Sequence, residues 1–186
     1  MIVGWVVIAV AAVVLAWAAW TYNVLVRRRN RVDEGWAQIE TELKRRYDLV
    51  PSLVAAVRGY TGHEEALMTR VVEARAAAVA LPETAAVDHG SAESNLTGAL
   101  RSLFAVAEAY PELKAAESFR ALQAELATTE DRIAYARAYY NALVTEYETA
   151  RNTIPTNVVA SAFRFPSRPF FEADVASRGT IAVDLR

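Results

Sequence analysis

The N-terminal part of the chain contains a long apolar stretch without a single charge, IVGWVVIAVAAVVLAWAAWTYNVLV at residues 2–26. As a helix it would be roughly 37 Å long, enough to cross the hydrocarbon core of a bilayer. A buried core helix and a cleaved signal peptide are the alternatives. A signal peptide requires basic residues before its apolar run, and no Lys or Arg precedes the run here. Ala16-Trp17-Ala18 nevertheless resembles a cleavage site. We therefore predict a retained, single-pass transmembrane anchor over residues 1–26.

The residues that flank the apolar stretch support this prediction and indicate an orientation. Aromatic side chains that favour the headgroup level of a bilayer occur near both ends, at Trp5 and at Trp17, Trp20 and Tyr22. Four basic residues follow the stretch and none precedes it: Arg27, Arg28, Arg29 and Arg31. The positive-inside rule then predicts an N-terminus outside the cell membrane and a cytoplasmic remainder. The same four arginines are candidates for contact with anionic lipid headgroups.

The charge and cysteine content of the chain exclude several classes of function. Without these four arginines, the chain has 16 of its 20 basic residues and 22 acidic ones, so the remainder has a net charge of −6. We therefore expect no binding to nucleic acid. The chain has no cysteine. Disulfides, thiolate metal sites, cysteine nucleophiles and an acylated cysteine anchor are therefore excluded. At 186 residues, one packed domain is expected after the anchor.

Apolar residues recur at alternating spacings of four and three from Val32 onward, which is typical of a packed helix. The series is Val32, Trp36, Ile39, Leu43, Val50, Leu53, Val57, Tyr60, Leu67, Val71, Ala74, Ala78 and Leu81, with Arg46 and Glu64 as its polar members. Its phase continues through Pro51, which predicts one long helix kinked there. The missing N–H of Pro51 leaves the Tyr47 carbonyl without its usual donor. The alternative is a separate helix with Asp48 as its N-cap.

The rest of the chain predicts two more helices and a C-terminal segment. PETAAVDHG at residues 82–90 reads as the first loop, after which Ser91 suits an N-cap with Glu93 in the first turn. The second helix ends before Pro111, and the third begins near 113–117 and ends before Pro155. Four aromatics are expected to pack back on the helices: Phe163, Phe165, Phe170 and Phe171.

The predicted fold is all-α: an N-terminal transmembrane helix followed by an antiparallel helical bundle of the four-helix type. The predicted division is an anchor at 1–26, a bundle at 27–154 and a C-terminal segment at 155–186. The wide apolar stripe on the long first helix favours a globular bundle over a two-stranded coiled coil.

Three stretches of the chain resemble the LemA family of bacterial membrane proteins. They are YNVLVRRRNRVDEGWAQIETELKRRYDLVPSLVAAVRGYTGHE, then EAYPELKAAESFRALQAELATTEDRIAYARAYYNALV, then IPTNVVASAFRF with FFEAD. The KRRYDLVP and YPELK blocks occur in the family's order and spacing. The resemblance implies an N-terminal anchor, an antiparallel helical bundle usually counted as four helices, and no established enzymatic activity. One departure is the lack of a glycine beside the aromatics of Ala162-Phe163-Arg164-Phe165.

The usual sequence signatures of catalysis and of metal binding fail here. His63-Glu64 begins like a zinc-binding HExxH helix, but Leu67 occupies the second ligand position. Neither His63 nor His89 has a Glu three residues before it, as a di-iron bundle requires. Glycine-rich phosphate loops and a nucleophile elbow are also missing from the sequence. We predict no catalytic residues, no metal and no cofactor.

The polar members of the apolar series are the candidates for a site. Arg46 has two interpretations. It could meet an acid on another helix or extend its guanidinium to the bundle edge. Alternatively, it could join its neighbours beside Pro51 in a polar notch that grips a partner. The partner-contact candidates are Arg45, Arg46, Tyr47, Asp48 and Glu64. Within the apolar stretch, small residues share one helix face and predict weak self-association: Ala9, Ala12, Ala16 and Ala19.

These features predict a non-catalytic scaffold or adaptor at the cytoplasmic face of the cell membrane, with an unidentified membrane or cytoplasmic protein as its partner. One alternative is a membrane-shaping factor whose arginines and exposed bundle face engage lipid directly. Another is an enzyme or accessory subunit that uses a polar cleft in the bundle.

Overall fold

A computed structural model describes residues 2–60, 64–82 and 86–171, with the backbone alone for 86–88. In these ranges the chain forms helices and no strand, which confirms the all-α prediction. The helices are α1 (Ile2–Arg58), α2 (Glu65–Val79), α3 (Ala86–Ala107), α4 (Pro111–Ala115), α5 (Glu117–Asn152) and α6 (Thr156–Ala162). The chain divides into two compact units: Met1–Gln38 with Ala138–Pro169, and Ile39–Arg137 with Phe170–Arg186. The predicted division at residues 26 and 154 stays a prediction.

In the first unit, the N-terminal part of α1 pairs with the C-terminal part of α5. The Arg28 guanidinium donates a 2.7 Å hydrogen bond to the Glu146 carbonyl, and the rings of Trp36 and Tyr140 meet edge-on at 5.5 Å. Residue numbers increase along α1 from Arg28 to Trp36 while those of their partners on α5 decrease from Glu146 to Tyr140, so the two helices run antiparallel. Between these contacts lies Gly35, where an added Cβ would stand 2.9 Å from Cδ1 of Leu143. The missing side chain lets the two helices approach closely.

The apolar stretch of α1 is long and apolar enough to cross a membrane, and none of its most apolar 18-residue window is buried. Ile2 is 81% exposed and Val13 69%, so the described parts of the chain do not cover this stretch. Within the described ranges, this stretch is therefore not a buried core helix. Burial begins at Thr21 and Leu25, both 0% exposed. The same helix thus carries an uncovered apolar run and, further along, a packed face.

The C-terminal part of the first unit is held against α5 by hydrogen bonds. The hydroxyls of Tyr147 and Tyr140 donate to the carbonyls of Pro166 and Pro169 at 2.7 and 2.8 Å. The Arg168 guanidinium meets Asp33 of α1 at 2.6 Å. Burial raises the pKa of both tyrosine hydroxyls, which therefore remain protonated donors at neutral pH.

The short helix α6, which was not predicted from the sequence, ends in a Schellman motif. The N–H of Phe165 donates to the Ala160 carbonyl at 2.9 Å, and the N–H of Arg164 donates to the Ser161 carbonyl at 3.2 Å. Arg164 has a φ of 53°, in the left-handed region that favours glycine. Arg164 lies within Ala162-Phe163-Arg164-Phe165, the stretch in which the family resemblance leads one to expect a glycine. Phe165 is buried, whereas Phe163 is 60% exposed.

Five helical segments belong to the second unit: residues 39–58 of α1, α2, α3, α4 and residues 117–137 of α5. Their buried apolar residues include Ile39, Leu43, Val50, Leu53, Val57, Met68, Val71, Leu96, Leu100, Leu103, Leu113, Phe119, Leu126 and Ile133. Arg45 pairs with Glu125 at 2.9 Å and Glu42 with Arg132 at 3.9 Å, so α1 and α5 run antiparallel here. In the C-terminal segment, Phe171 is 2% exposed under the Arg137 guanidinium, and Phe170 is 45% exposed.

Pro51 lies inside α1, seven residues before its end at Arg58. The prediction of one helix through Pro51 is confirmed, and the alternative with Asp48 as the N-cap of a separate helix is wrong. The carbonyl of Tyr47, which the proline leaves without its helical donor, accepts a 2.7 Å hydrogen bond from Nε of Arg75 on α2. A tertiary contact therefore replaces the hydrogen bond that Pro51 cannot make.

The helix boundaries correct two sequence interpretations. α1 ends at Arg58 and α2 begins at Glu65, so the apolar series to Leu81 spans two helices. Gly59 directly follows α1, and glycine is a poor helix former because its backbone loses the most conformational entropy in a helix. The helix that was predicted to follow the loop at residues 82–90 also starts earlier than predicted. α3 begins at Ala86, so Ser91 lies within it and is no N-cap. His63 lies outside the described residues.

Candidate functional site

The second unit contains a buried ionic cluster, centred on Arg46. Arg46 occupies a position of the apolar series on α1, one turn from both Leu43 and Val50, so its side chain points inward. Its guanidinium is 4% exposed. Nη1 contacts Oε2 of Glu93 on α3 at 3.0 Å and Oε2 of Glu130 on α5 at 2.9 Å. The interpretation that Arg46 meets an acid on another helix is therefore the correct structural one.

Two further hydrogen bonds join the residues around Arg46. Nη2 of Arg46 donates to Oγ1 of Thr97 at 2.8 Å. The hydroxyl of Tyr47 donates to the second oxygen of Glu93 at 2.5 Å. Both carboxylate oxygens of Glu93 therefore have donors, which is what a buried carboxylate needs to be stable. We call Arg46, Tyr47, Glu93, Thr97 and Glu130 the Arg46 cluster.

Burial dominates the titration of this cluster. It raises the pKa of Glu93 above 4.5, while the Tyr47 hydrogen bond and the positive charge of Arg46 act in the opposite direction. Burial and the Glu93 carboxylate raise the pKa of Tyr47 far above its ordinary value of 10.0, so the phenol stays protonated and donates. Burial lowers the pKa of Arg137, whose guanidinium carbon lies 4.6 Å from the centroid of the Phe171 ring.

A cavity of about 250 Å³ opens beside the Arg46 cluster, between α3 and α5. We call it the α3–α5 groove. Its lining residues are Arg46, Thr97, Leu100, Arg101, Phe104, Gln123, Leu126, Ala127 and Glu130. Leu100, Phe104, Leu126 and Ala127 form its apolar part, and Arg101 and Gln123 are polar. We call Arg46, Thr97 and Glu130, which belong to the Arg46 cluster, its polar end. The groove therefore has the composition of a small docking site for one or two amphipathic side chains.

The structure separates the other partner-contact candidates from this cluster. Arg45 is about half exposed and pairs with Glu125 at 2.9 Å, and Asp48 is exposed on the same helix. Glu64 is half-buried directly before α2, where its backbone carbonyl accepts hydrogen bonds from Leu67 and Met68. Among the five predicted residues, only Arg46 and Tyr47 belong to the cluster.

Sequence reasoning missed the acids of the cluster. The sequence interpretation places Glu93 in the first turn of a helix, yet Glu93 precedes Leu96, Leu100 and Leu103 at spacings of three, seven and ten residues, and so shares their helix face. That spacing was the available signal. Glu130 carries no such signal, because it is exposed and reaches Arg46 from the edge of α5.

The four arginines after the apolar stretch lie in the first unit. Arg27 and Arg31 are exposed, and Arg28 and Arg29 are half-buried. A distant ion pair joins Arg31 to Glu146 at 3.9 Å, with both side chains more than half exposed, so it contributes little to stability. These side chains remain accessible to anions at the end of the apolar run.

The residues of the described ranges do not bring together His, Asp and Glu side chains in a group that could hold a metal ion. His89 on α3 is buried, with Nε2 3.3 Å from the Pro82 carbonyl.

Comparison with known proteins adds two findings. A family profile described as the LemA family matches residues 35–185. Protein LemA from Metamycoplasma hominis is 25% identical over 158 residues, which cover 84% of this chain and 71% of that protein. The match includes the bundle segments, the Arg46 cluster and the C-terminal segment, and the chain therefore belongs to the LemA family.

Proposed function

We propose that this chain is a membrane-tethered, non-catalytic scaffold whose helical bundle presents the α3–α5 groove to a protein partner. The observation that carries the proposal is the composition of α1. One helix, Ile2–Arg58, contains an 18-residue apolar window with 0% burial and, beyond it, residues that are 0% exposed in packed helices. Such a helix joins an anchor to a binding body without a linker.

The proposed location is the cell membrane, with the bundle in the cytoplasm. Support comes from the four arginines directly after the apolar run, of which two are exposed and two half-buried. Anionic headgroups attract such residues with about 1 kcal/mol each near the surface.

The proposed partner site is the α3–α5 groove because its polar end is fixed before any partner arrives. The partners of Arg46 hold its guanidinium at 2.8 to 3.0 Å, so little side-chain freedom is lost on binding. Leu100, Phe104 and Leu126 offer apolar contact beside it. A partner segment with an apolar side chain next to a hydrogen-bonding group fits this arrangement.

Two features argue against catalysis by the buried carboxylate of Glu93. Both oxygens of Glu93 already accept hydrogen bonds, from Arg46 and Tyr47, and Glu93 does not line the groove. A general base needs access to the proton that it removes. We therefore propose that the Arg46 cluster shapes the groove and does no chemistry.

The experiment is site-specific photo-crosslinking of the full chain in its native membrane. A photoreactive residue replaces Gln123, which is exposed and lines the groove, and in a matched variant it replaces Thr128, which is exposed on the same helix outside the groove. A discrete crosslinked protein at position 123 that is missing at position 128 is expected. Equal labelling at both positions, or none at position 123, would show that the groove is not the partner site.

A further inference from the structure

Helix α6 and the residues on either side of it expose an apolar edge. Ile154 is 79% exposed, Val158 64% and Phe163 60%, whereas Val159 and Ala160 on the opposite side are each 4% exposed. The short helix is thus packed through one side and carries large apolar side chains on the other. We call Ile154, Val158 and Phe163 the α6 apolar edge.

Ring contacts place this edge beside the end of the uncovered apolar run of α1. The Phe163 ring meets the Tyr22 ring edge-on at 5.0 Å, and the Phe165 ring meets the same tyrosine at 5.5 Å. Phe163 also shares a shallow surface pocket with Leu15, Ala18, Ala19, Tyr22 and Asn23. Leu15 to Tyr22 covers about 10 Å of helix, so Phe163 lies level with the last turns of the apolar run.

The edge is held firmly in this position. The hydroxyl of Thr156 donates to the carbonyls of Ala150 and Thr153, which joins the start of α6 to the end of α5. At the other end, the Schellman hydrogen bonds and the Tyr147 bond to the Pro166 carbonyl fix the chain around Phe163. The exposure of the edge is therefore built into the fold and not a consequence of a frayed helix end.

We propose that the α6 apolar edge inserts into the boundary between headgroups and acyl chains of an anionic bilayer, as a second membrane contact beside the α1 anchor. The proposal rests on the membrane anchoring proposed above. Two observations favour lipid as the occupant. The edge is continuous with the apolar run through Tyr22, and it is accompanied by basic residues, Arg27 on α1 and the exposed Arg164 after α6. Apolar side chains rimmed by basic ones are typical of interfacial membrane contacts.

A second contact would have a mechanical consequence. A single helix fixes depth in a bilayer but leaves the attached body free to rotate about the helix axis and to tilt. An inserted edge beside that helix removes part of this freedom and would give the first unit a defined face toward the membrane. Burial of the three side chains would favour this arrangement.

The experiment measures the depth of spin labels in the full chain reconstituted into vesicles of phosphatidylcholine and phosphatidylglycerol. Because the chain has no cysteine, each variant carries a single labelled site. The test variants are Ile154→Cys and Val158→Cys, which leave the Phe163 and Tyr22 rings intact. Val10→Cys in the apolar run is the lipid reference. Glu34→Cys, exposed on α1 about 18 Å beyond Tyr22, is the water reference. Collision rates with oxygen and with a water-soluble nickel chelate report the depth.

The expected result is a ratio of oxygen to nickel collisions at positions 154 and 158 that lies well above the ratio at position 34 and below that at position 10. Ratios at 154 and 158 equal to that at 34, with position 10 embedded, would overturn the proposed second contact and leave the anchor intact. A water-like ratio at position 10 would overturn the anchoring itself, and the second contact with it.

Discussion

Arg46 is a buried charge whose stability depends on its partners. The side chains of Arg46 and Glu93 are each 4% exposed, so removal of Arg46 leaves the Glu93 carboxylate without its cation in a poorly solvated place. Its neighbour Arg45 makes an ion pair of similar length, 2.9 Å to Glu125, but with 48% and 43% exposure of the two side chains. Two adjacent arginines of one helix thus form Arg–Glu pairs of similar length that differ in burial, and comparing them isolates the effect of burial on stability.

We expect Arg46→Met to lower the free energy of unfolding by about 3 to 5 kcal/mol at neutral pH, because Glu93 would keep a charge without its cation. Arg45→Met should cost less than about 1 kcal/mol, since water screens its pair. Denaturant titration followed by the helical circular dichroism signal, in detergent micelles, measures both values. Similar losses for the two variants would mean that burial does not set the strength of the Arg46 interactions.

The same variant should show a characteristic pH dependence. Arg46 lowers the pKa of Glu93, so Arg46→Met should raise that pKa further above 4.5. A native pKa above the unfolded value means that the contribution to stability is fully present below about 4.5 and is lost as pH rises through the native pKa. The stability deficit of Arg46→Met relative to the unmodified chain should therefore shrink on acidification. A deficit that stays constant or grows as pH falls would contradict this assignment.

Sequence reasoning predicted the environment of Arg46 but not its partners. The spacing of Leu43, Arg46 and Val50 shows that all three share a helix face, and this local fact survives folding. The identity of the acid depends on how α3 and α5 are rotated about their axes, which is set by packing across the bundle. The spacing of Glu93 from the leucines of α3 indicates that its side chain is buried. The sequence gives no such indication for Glu130, because its side chain is exposed and extends to Arg46 from the edge of α5.

At the scale of elements, α1 continues through Pro51 because another helix supplies a donor. The Tyr47 carbonyl accepts from Nε of Arg75 at 2.7 Å, in the place of the N–H that proline lacks. The continuous apolar phase allowed this helix to be predicted through Pro51. The same reasoning wrongly predicted that the helix continues through residues 59–64. The apolar residues of α2 happen to follow those of α1 at helical spacing, although α1 ends at Arg58.

The hydrogen bond from Arg75 can be tested by a double-mutant cycle with Pro51. In the unmodified chain, Arg75→Met should cost about 1 to 3 kcal/mol, because it leaves a partly buried carbonyl without a donor. In the Pro51→Ala background the cost should be much smaller, since the backbone N–H restored at position 51 serves the same carbonyl. Arg70→Met, exposed on the same helix, is the control and should be nearly neutral. Equal costs of Arg75→Met in both backgrounds would exclude the proposed replacement.

The end of α6 carries a local conflict that a single substitution should relieve. Arg164 adopts a φ of 53°, which costs a residue with a Cβ roughly 1 to 2 kcal/mol relative to glycine. Arg164→Gly should therefore raise the free energy of unfolding, by about 0.5 to 1 kcal/mol after the entropy of glycine in the unfolded chain is counted. Arg164→Ala removes the same charge but keeps the Cβ, so it should give no such gain. Thermal unfolding of the three proteins in one detergent measures the difference, and an equal gain for both variants would attribute the effect to charge.

At the scale of the whole molecule, function depends on which side of the bilayer the helical body lies. The apolar stretch of α1 determines that a membrane can be crossed, but a helix can cross it in either direction. The asymmetry lies in the flanks, where the chain has four arginines after the stretch and none before it. Translocation of basic residues is disfavoured, so these arginines should stay in the cytoplasm.

This orientation predicts opposite labelling at the two ends of the apolar stretch. In intact cells expressing the cysteine-free chain with one introduced cysteine, Ile2→Cys should react with a membrane-impermeant maleimide, since residue 2 is 81% exposed and is predicted to lie on the outer side. Glu34→Cys should react only after lysis, because it follows the four arginines and is predicted to lie on the cytoplasmic side. Labelling at position 34 in intact cells, with position 2 protected, would reverse the orientation. Any partner of the α3–α5 groove would then have to be sought outside the cell membrane.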